Sequence, residues 1–429
     1  MGNLKGKKLL VLGGTQASLD LVEMAKAEGA YTVVADYLET GVAKEIADET
    51  VRVSTSDIDS LLALIKARGI DGVFCGPSEF QLLNVMSLCE LSGLPFYATR
   101  AQWDRCGDKL AFKEMCREYG VPCVPEYHVT GEFLAEDLAK IIYPVMVKPT
   151  DGCSSRGISV CHNHDELKKA YAYALEFSDK KKVIVEKYII SDQAVIVRYV
   201  AYQGEIHLLL VNSRYVVDSQ EGTAYITAFA RFPAKCTDEY IEQIDGNVRA
   251  MMKGLGLENG AFFLQALVDR DDNKIYFHEM GLRISGGFIF KMVEPLTGVN
   301  DMKMLMRYAL GEDMACDGEI AKIDPYLGGK TFYSLAVPLK TGVIGSISGL
   351  QSIAEKIPTL KITQYYQVGD TITGDMMGTL SQHFGRFKFV EESDAKALDT
   401  LQYIQSELKI SDADGNDMIY KRFDIKRAQ

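Results

Sequence analysis

The first hundred residues alternate short apolar runs with amphipathic stretches, and that alternation leaves few folds open. Residues 8–12, 31–36, 51–54 and 72–75 read as buried strands, with helices expected over 18–28, 57–68 and 79–92. Parallel strands cannot be joined by a tight hairpin, so a helix after each strand predicts a parallel α/β unit. The texture then changes. A helix over 108–119 ends at Gly120, and Pro122 and Pro125 mark a stop and a turn. From Tyr143 onward strand-like runs dominate, at 144–149, 158–161, 183–190, 194–202, 205–211 and 261–269, with helices near 165–177 and 238–255. This second region reads as α+β. After about Lys322 come short strands and glycine turns, then a helix over 393–408. The chain is expected to divide into residues 1–105, 106–320 and 321–429, of α/β, α+β and β-rich character.

At 429 residues, two or three such units are expected on size alone. A net charge of −12 without a long basic run argues against a nucleic-acid partner. No apolar stretch is long enough for a secretory leader or a membrane span, so no membrane partner is expected. Nine cysteines, with no CxxC pair, fit a reducing compartment, and the expected location is the cytoplasm. His162 and His164 lack the cysteines or second histidine pair of a zinc site and read as a loop feature.

The strongest chemical signal is Tyr143-Pro-Val-Met-Val-Lys148-Pro-Thr-Asp-Gly152-Cys-Ser154-Ser155-Arg156-Gly157. A buried strand delivers a lysine, and a loop of small residues follows, through which backbone N–H groups and serine hydroxyls can approach phosphate oxygens closely. Lys148 adds a point charge. This is not a Walker loop, because the lysine precedes the glycines and the GK[ST] ending is missing. Taken alone, the segment fits a plain hairpin as well as a phosphate site.

Other segments follow in order. Asp108-Lys109, with Lys113, opens a helix; Val183-Ile-Val-Glu186-Lys187-Tyr188-Ile189 is an apolar strand with a charged end. Phe263-Leu-Gln265-Ala-Leu and Tyr276-Phe-His278-Glu279-Met-Gly281-Leu-Arg283-Ile-Ser285-Gly286-Gly287 read as two strands that bring Gln265 and Glu279 together. From residue 108 to 287 this series resembles the ATP-grasp superfamily, and the flanking regions look like that family's preceding α/β domain and small C-terminal β lobe. The resemblance implies a two-lobed domain over 106–320 that takes ATP and Mg²⁺, with Mn²⁺ as an alternative. It implies that Lys109 and Lys148 neutralise phosphates under a loop of Gly152, Ser154, Ser155, Arg156 and Gly157. Glu186, Lys187, Tyr188 and Ile189 would read the adenine edge. Gln193 stands where a ribose-binding glutamate is usual and would accept a weaker hydrogen bond than a carboxylate.

By the same resemblance Gln265 and Glu279 hold the metal, hard oxygen ligands that suit Mg²⁺. Arg283 would hold the transferring phosphoryl group with its fork of donors, and catalysis would rest on Arg283 and Lys148. Gly281 departs from the family's ExNxR pattern, which places a metal-binding asparagine there. Water, His278 or a single well-held ion could replace it. Strand alternation turns His278 to the face opposite Glu279, which favours water.

Substrate contacts are expected from Glu79, at the carboxyl edge of the first sheet, which could hold an amine. A first-turn glutamate favoured by the helix dipole is the other reading of that residue. Arg214, in a loop over 212–218, could pair with a carboxylate, and Ser285, Gly286 and Gly287 could let one approach the backbone. Gly13-Gly14-Thr15 with Asp36 imitates a dinucleotide site without the full GxGxxG, and reads as the edge of the acceptor cleft.

The expected enzyme is an ATP-dependent carboxylate-amine ligase that makes an acyl phosphate and couples it to an amine, acting on small amino-acid-like substrates. Length and three-part order look most like the L-amino-acid ligases. Purine-pathway carboxylases and formyltransferases share the architecture and are the alternative, as do biotin carboxylase and half of carbamoyl-phosphate synthetase. Biotin carboxylase ranks lower because Ser285-Gly286-Gly287 replaces the longer end of its metal strand. A non-catalytic ATP-binding protein rests on Gln193 and Gly281, and a nicotinamide oxidoreductase on Gly13, Gly14 and Asp36. Dimers are common in the family, so a homodimer is compatible.

Overall fold

Leu9, Leu10, Val11 and Leu12 have no exposed surface in β1 (Lys8–Leu12), the strand around which the N-terminal region is wound. The computed structural model describes the chain except residues 1–3, 152–156, 192, 218–225 and 429. β1 pairs in parallel with β2 (Tyr31–Ala35) and β4 (Gly72–Phe74), and β3 (Glu49–Val51) adds outside β2. The helices between are α1 (Gln16–Ala27), α2 (Val42–Ile46) and α3 (Ile58–Arg68), with α4 (Glu79–Ser92) following β4. Asp57 and Ser78 cap the starts of α3 and α4 with side-chain acceptors, and Gly69 and Gly93 close them in the left-handed conformation. This is the parallel unit that the alternation predicts. After α5 (Arg100–Gly107), Asp108 caps α6 (Lys109–Tyr119) by accepting from Leu110 N and Ala111 N.

A small antiparallel sheet comes next, built from β5 (Glu126–Tyr127), β6 (Val145–Pro149), β7 (Ser159–Cys161) and β8 (Val183–Lys187) in the order β5-β8-β6-β7. The helix His164–Glu176 covers it, and Val145, Val147, Leu167 and Val185 share a core of their own. The larger sheet begins with β9 (Gln193–Tyr202), β10 (Glu205–Val217), β11 (Ile226–Phe232), β12 (Gly260–Val268) and β13 (Ile275–Gly281). The remaining strands are β14 (Thr331–Pro338), β15 (Gly342–Val343), β16 (Ser346–Ser348), β17 (Lys361–Gln364), β18 (Thr371–Ile372), β19 (His383–Glu391) and β20 (Lys409–Ser411). Two short ribbons, β15-β18 and β16-β20, stand apart, while the rest form one antiparallel sheet in the order β13-β12-β9-β10-β11-β14-β19-β17. The C-terminal strands thus continue the central sheet, and Tyr215 and Phe229 from β10 and β11 sit in the same core as Phe387 and Phe389.

Three further features differ from the sequence reading. Residues 212–217, expected as a loop, are the second half of β10. The polar run suggests a break, but alternation resolves it: Tyr215 and Val217 enter the C-terminal core while Asn212 and Arg214 face the cleft described below. The helix expected over 238–255 contains a π turn, Ile241–Asp245, which carries the Asp245 carboxylate to Tyr199 Oη at 2.7 Å. The helix Asp301–Ala309 packs on α1 and β4, with Arg307 clamped between Glu28 (2.7 Å) and Glu319 (2.8 Å). No helix among the described residues is long and apolar enough to cross a membrane.

Candidate active site

A cleft of about 640 Å³ opens where the carboxyl edge of the N-terminal sheet meets the small sheet and one face of the large sheet. Lys148, near the end of β6, reaches it with a side chain 6% exposed and ion-pairs with Glu186 of β8. The other Glu186 oxygen lies 2.5 Å from Lys113 Nζ, which is wholly buried and also donates to Val124 O. Glu186 therefore stands as a counterion between two lysines, off the cleft wall. Lys109, the first residue of α6, is buried beside them. Burial holds it below the ordinary lysine value, Glu279 opposes that and the Lys148 cation adds to it.

Beyond Lys148, Asp151 and Gly157 are the described residues that flank the loop. Asp151 accepts from Ser178 Oγ (2.5 Å) and Lys180 N (2.9 Å), and Gly157 has φ +74° with no room for a Cβ against Phe177. Gly152, Ser154, Ser155 and Arg156 lie outside the described residues. The remaining residues of the expected adenine and ribose region also lie off the cleft wall. Lys187 pairs with Asp269 at 2.6 Å, Tyr188 N donates to Pro144 O, Ile189 is buried, and Gln193 Nε2 donates to Ser213 Oγ.

Gln265 of β12 is paired with Glu279 of β13 across the ladder. Its amide nitrogen donates to Glu279, and its oxygen accepts from Arg214 Nη2 at 2.6 Å. The register shifts just past this pair, leaving His278 as the extra residue of a β-bulge, with its Nδ1 3.2 Å from Gln265 O. A bulge breaks strict alternation. His278 is partly exposed, is not among the residues of the cleft wall, and lies within electrostatic reach of Lys148, Lys113 and Lys109; desolvation, reinforced by those cations, drives its titration well below the usual histidine range.

The place of the expected asparagine is also filled. A Cβ on Gly281 would lie 2.6 Å from Phe263 Cε1, and the Arg283 guanidinium stacks 4.9 Å from the centroid of the same ring. Arg283 Nη2 lies 3.1 Å from Glu79 Oε2, so the first residue of α4 holds the arginine from across the domain boundary. Glu79, expected to take an amine, is thereby engaged. Glu279 is the one carboxylate on the cleft wall among the described residues, and no group of three or more acidic, histidine or cysteine side chains gathers there as a metal cluster. Glu279 and the Gln265 amide, whose oxygen is shared with Arg214, are hard oxygen groups that fit Mg²⁺, which keeps waters and shares phosphate oxygens.

On the large sheet Ser285 Oγ accepts from Arg198 Nε at 2.6 Å, Gly286 has open space where a Cβ would stand, and Gly287 O accepts from Lys388 Nζ at 3.3 Å. Burial brings Arg214 down to about 10 and Arg198 to about 9, the latter partly offset by Asp301. In the N-terminal sheet Thr15, Ser78 and Gln81 reach the cleft. Asp36 does not serve a ribose there, because its oxygens accept from Gly14 N (2.7 Å) and Leu38 N (2.8 Å) in its own turn.

Sequence reasoning missed Arg198, Asn212, Ser334, Arg386 and Lys388, all on this wall. The signal was period-two alternation: in β19, Phe387 and Phe389 enter the core and Arg386 and Lys388 take the other face.

Residues 108–316 match the family model described as carbamoyl-phosphate synthase L chain, ATP binding domain. A formate-dependent phosphoribosylglycinamide formyltransferase of Sulfurisphaera tokodaii is 23% identical over 313 residues, 71% of this chain and 76% of that protein. Among solved structures, an L-amino acid ligase from Bacillus licheniformis superposes with a TM-score of 0.75 at 20% identity, covering 95% of this chain and 99% of that one. The biotin carboxylase domain of Hydrogenobacter thermophilus 2-oxoglutarate carboxylase, solved with MgADP and bicarbonate, also gives 0.75 at 21% identity, covering 94% and 90%. The shared fold spans nearly the whole chain.

Proposed function

We propose that the chain is an ATP-grasp enzyme, an ADP- and phosphate-forming carboxylate-amine ligase of small molecules working in the cytoplasm, a reading supported by the family-model match over residues 108–316 and by the shared fold. The observation that carries the reading is convergence: Lys109, Lys148, Glu279 and Arg283, from α6, β6, β13 and the segment after it, share one cleft wall with the Gln265 amide.

Mg-ATP supplies the phosphoryl group. Glu279 and Gln265 would hold the ion, and Lys109 and Lys148 the phosphate oxygens. A carboxylate oxygen of the substrate attacks the γ-phosphorus, the bond to ADP breaks, and an acyl phosphate forms. An amine then attacks the acyl carbon, phosphate leaves with the electron pair of the C–O bond, and the nitrogen gives up a proton. Arg283, held by Glu79 and backed by the Phe263 ring, faces the charge that develops during phosphoryl transfer. Lys148 enters with its counterion already in place, so its ammonium is oriented before the nucleotide arrives. By the family resemblance the loop that follows Lys148 would cover the phosphates and exclude water. No serine, cysteine or histidine nucleophile is required.

A second reading takes formate or bicarbonate as the activated acid, favoured by the formyltransferase relative and the bicarbonate-bound carboxylase domain. Phosphate release from Mg-ATP, measured over amino acids singly and in pairs and over formate and bicarbonate, decides between them. A product amide that needs one acid–amine pair, and is lost in Glu279→Ala, supports the ligase. Release with formate or bicarbonate supports the second reading. Nucleotide binding without turnover across the panel sinks both, and leaves a non-catalytic ATP-binding protein.

A further inference from the structure

The cleft carries more positive charge than phosphoryl transfer uses. Lys148 has Glu186, Arg283 has Glu79, and Arg214 is bonded to Gln265 beside Glu279. At the other end of the wall, Arg386 and Lys388 from β19 and Arg198 from β9 face the same space. Arg386 and Lys388 have no carboxylate within ion-pair distance among the described residues. Lys388 is only 5% exposed, and its recorded hydrogen bond is a long one to Gly287 O. Arg198 is 4% exposed and bonds the neutral Ser285 and Asn212.

Beside them stands a hydroxyl left open. Ser334 lies opposite Lys388 in the β14–β19 register, lines the cleft, is 4% exposed, and its hydroxyl has no hydrogen-bond partner among the described residues. Buried polar groups are normally satisfied, and buried cations normally paired, so a cluster of both left open implies that a ligand completes it. The surrounding carboxylates do not pair with the cluster. Asp20 is near, but is paired with Lys291 at 2.6 Å; Asp301 offsets Arg198 only from beyond ion-pair distance; and Lys361 adds a further positive charge. In a chain of net charge −12, such a local concentration focuses small anions into this pocket.

We infer that Arg386, Lys388, Ser334 and Arg198 form a subsite for a second anionic group on the substrate, a carboxylate or a phosphate remote from the reacting centre. The substrates are then acidic molecules: an amino acid with a side-chain carboxylate, or a phosphate ester carrying an amine. Only the statement that this anion belongs to a ligase substrate rests on the function proposed above; the anion site itself does not.

The test is titration of the full chain saturated with Mg-ADP, so that the phosphate-binding lysines are occupied. Isothermal calorimetry is run with succinate, inorganic phosphate, acetate and ethanolamine, and repeated on Arg386→Gln, Lys388→Met and the charge-keeping Arg386→Lys. Succinate or phosphate is expected to bind, with ethanolamine silent. Each of the two neutralising variants should weaken binding by about tenfold or more, the equivalent of one charge-assisted hydrogen bond, and Arg386→Lys should retain most of the affinity. Preference for succinate assigns a carboxylate, and preference for phosphate a phosphate ester. Equal affinity in all variants, or ethanolamine binding as well as the anions, overturns the inference. Should a neutralising variant fail to fold, Arg386→Lys against the wild type still reads the site, through its relative affinity for the two anions; no difference between anions and neutral molecules there overturns it equally. Loss of Mg-ADP binding with retained, variant-sensitive anion binding would sink the ligase reading and leave the subsite standing.

Discussion

The ring of Phe263 occupies the volume that any side chain at Gly281 would need: a Cβ there would sit 2.6 Å from Phe263 Cε1. The same ring backs the Arg283 guanidinium at 4.9 Å. The missing asparagine and the placement of the arginine are therefore one packing solution. With the strand position two residues before Arg283 devoid of donor atoms, the proposed metal ligands would be Glu279 and Gln265 alone.

Gly281→Asn should destabilise the fold by about 1–3 kcal/mol, the usual cost of forcing atoms into a filled site, and reduce turnover by displacing the support of Arg283. Urea unfolding checks the first and phosphate release the second. Adding Phe263→Ala should recover stability relative to Gly281→Asn alone, because it vacates the clashing volume.

Glu186→Gln should be costly for a different reason. It takes the counterion from buried Lys148 and leaves Lys113 with only the Glu126 carboxylate at 3.9 Å, and breaking a buried pair from one side typically costs about 3–5 kcal/mol. Thermal unfolding should show the loss, and Mg-ATP should restore part of it by bringing phosphate oxygens to Lys148.

Glu79→Gln keeps the size of the side chain and weakens its hold on Arg283. The expected signature is a kcat lowered by about tenfold, with the Kd for Mg-ATP unchanged. A raised KM for the amine at constant kcat would instead return Glu79 to the amine-binding role read from the sequence.

Lys388 gives the site a pH dependence. Burial, with Arg386 on its own strand, Lys291 on the helix Phe290–Thr297 and Lys361 on β17, brings it down to about 8 against the opposing pull of Asp20 on α1. An unfolded lysine titrates near about 10.4. Between those values the unfolded chain holds the extra proton, so this group makes stability rise with pH across the window; below about 8 its burial cost is present in full. Lys388→Met should flatten that slope in urea titrations. Anion binding stabilises the charged form, so affinity should fall above about pH 8, with proton uptake on binding near that pH in calorimetry across buffers of different ionisation enthalpy.

What the sequence made legible was whatever is written locally and in order. The bounds of α3, α4 and α6, the lysine of β6 and the strand carrying Glu279 could be placed because each depends on neighbours along the chain. The bulge at His278 was not legible, because a register shift shows only in the pairing of two strands. The second half of β10 was read as a loop because Asn212, Ser213 and Arg214 are polar, yet that strand has one wet face. Arg198, Arg386 and Lys388 were unreadable as a group because non-local strand order, β9 to β19 through β10, β11 and β14, brings them to one wall.

That shared sheet also acts as a ruler. Gln265 and Lys388 are carried on strands separated by a fixed run of hydrogen-bonded neighbours, each step about 4.8 Å, and neither end can approach the other without breaking the ladder. If the proposed sites hold, a small molecule that engages both would be selected by its reach as well as its charge: one carrying the right groups at too short a spacing would satisfy the phosphoryl end or the cationic end, but not both at once.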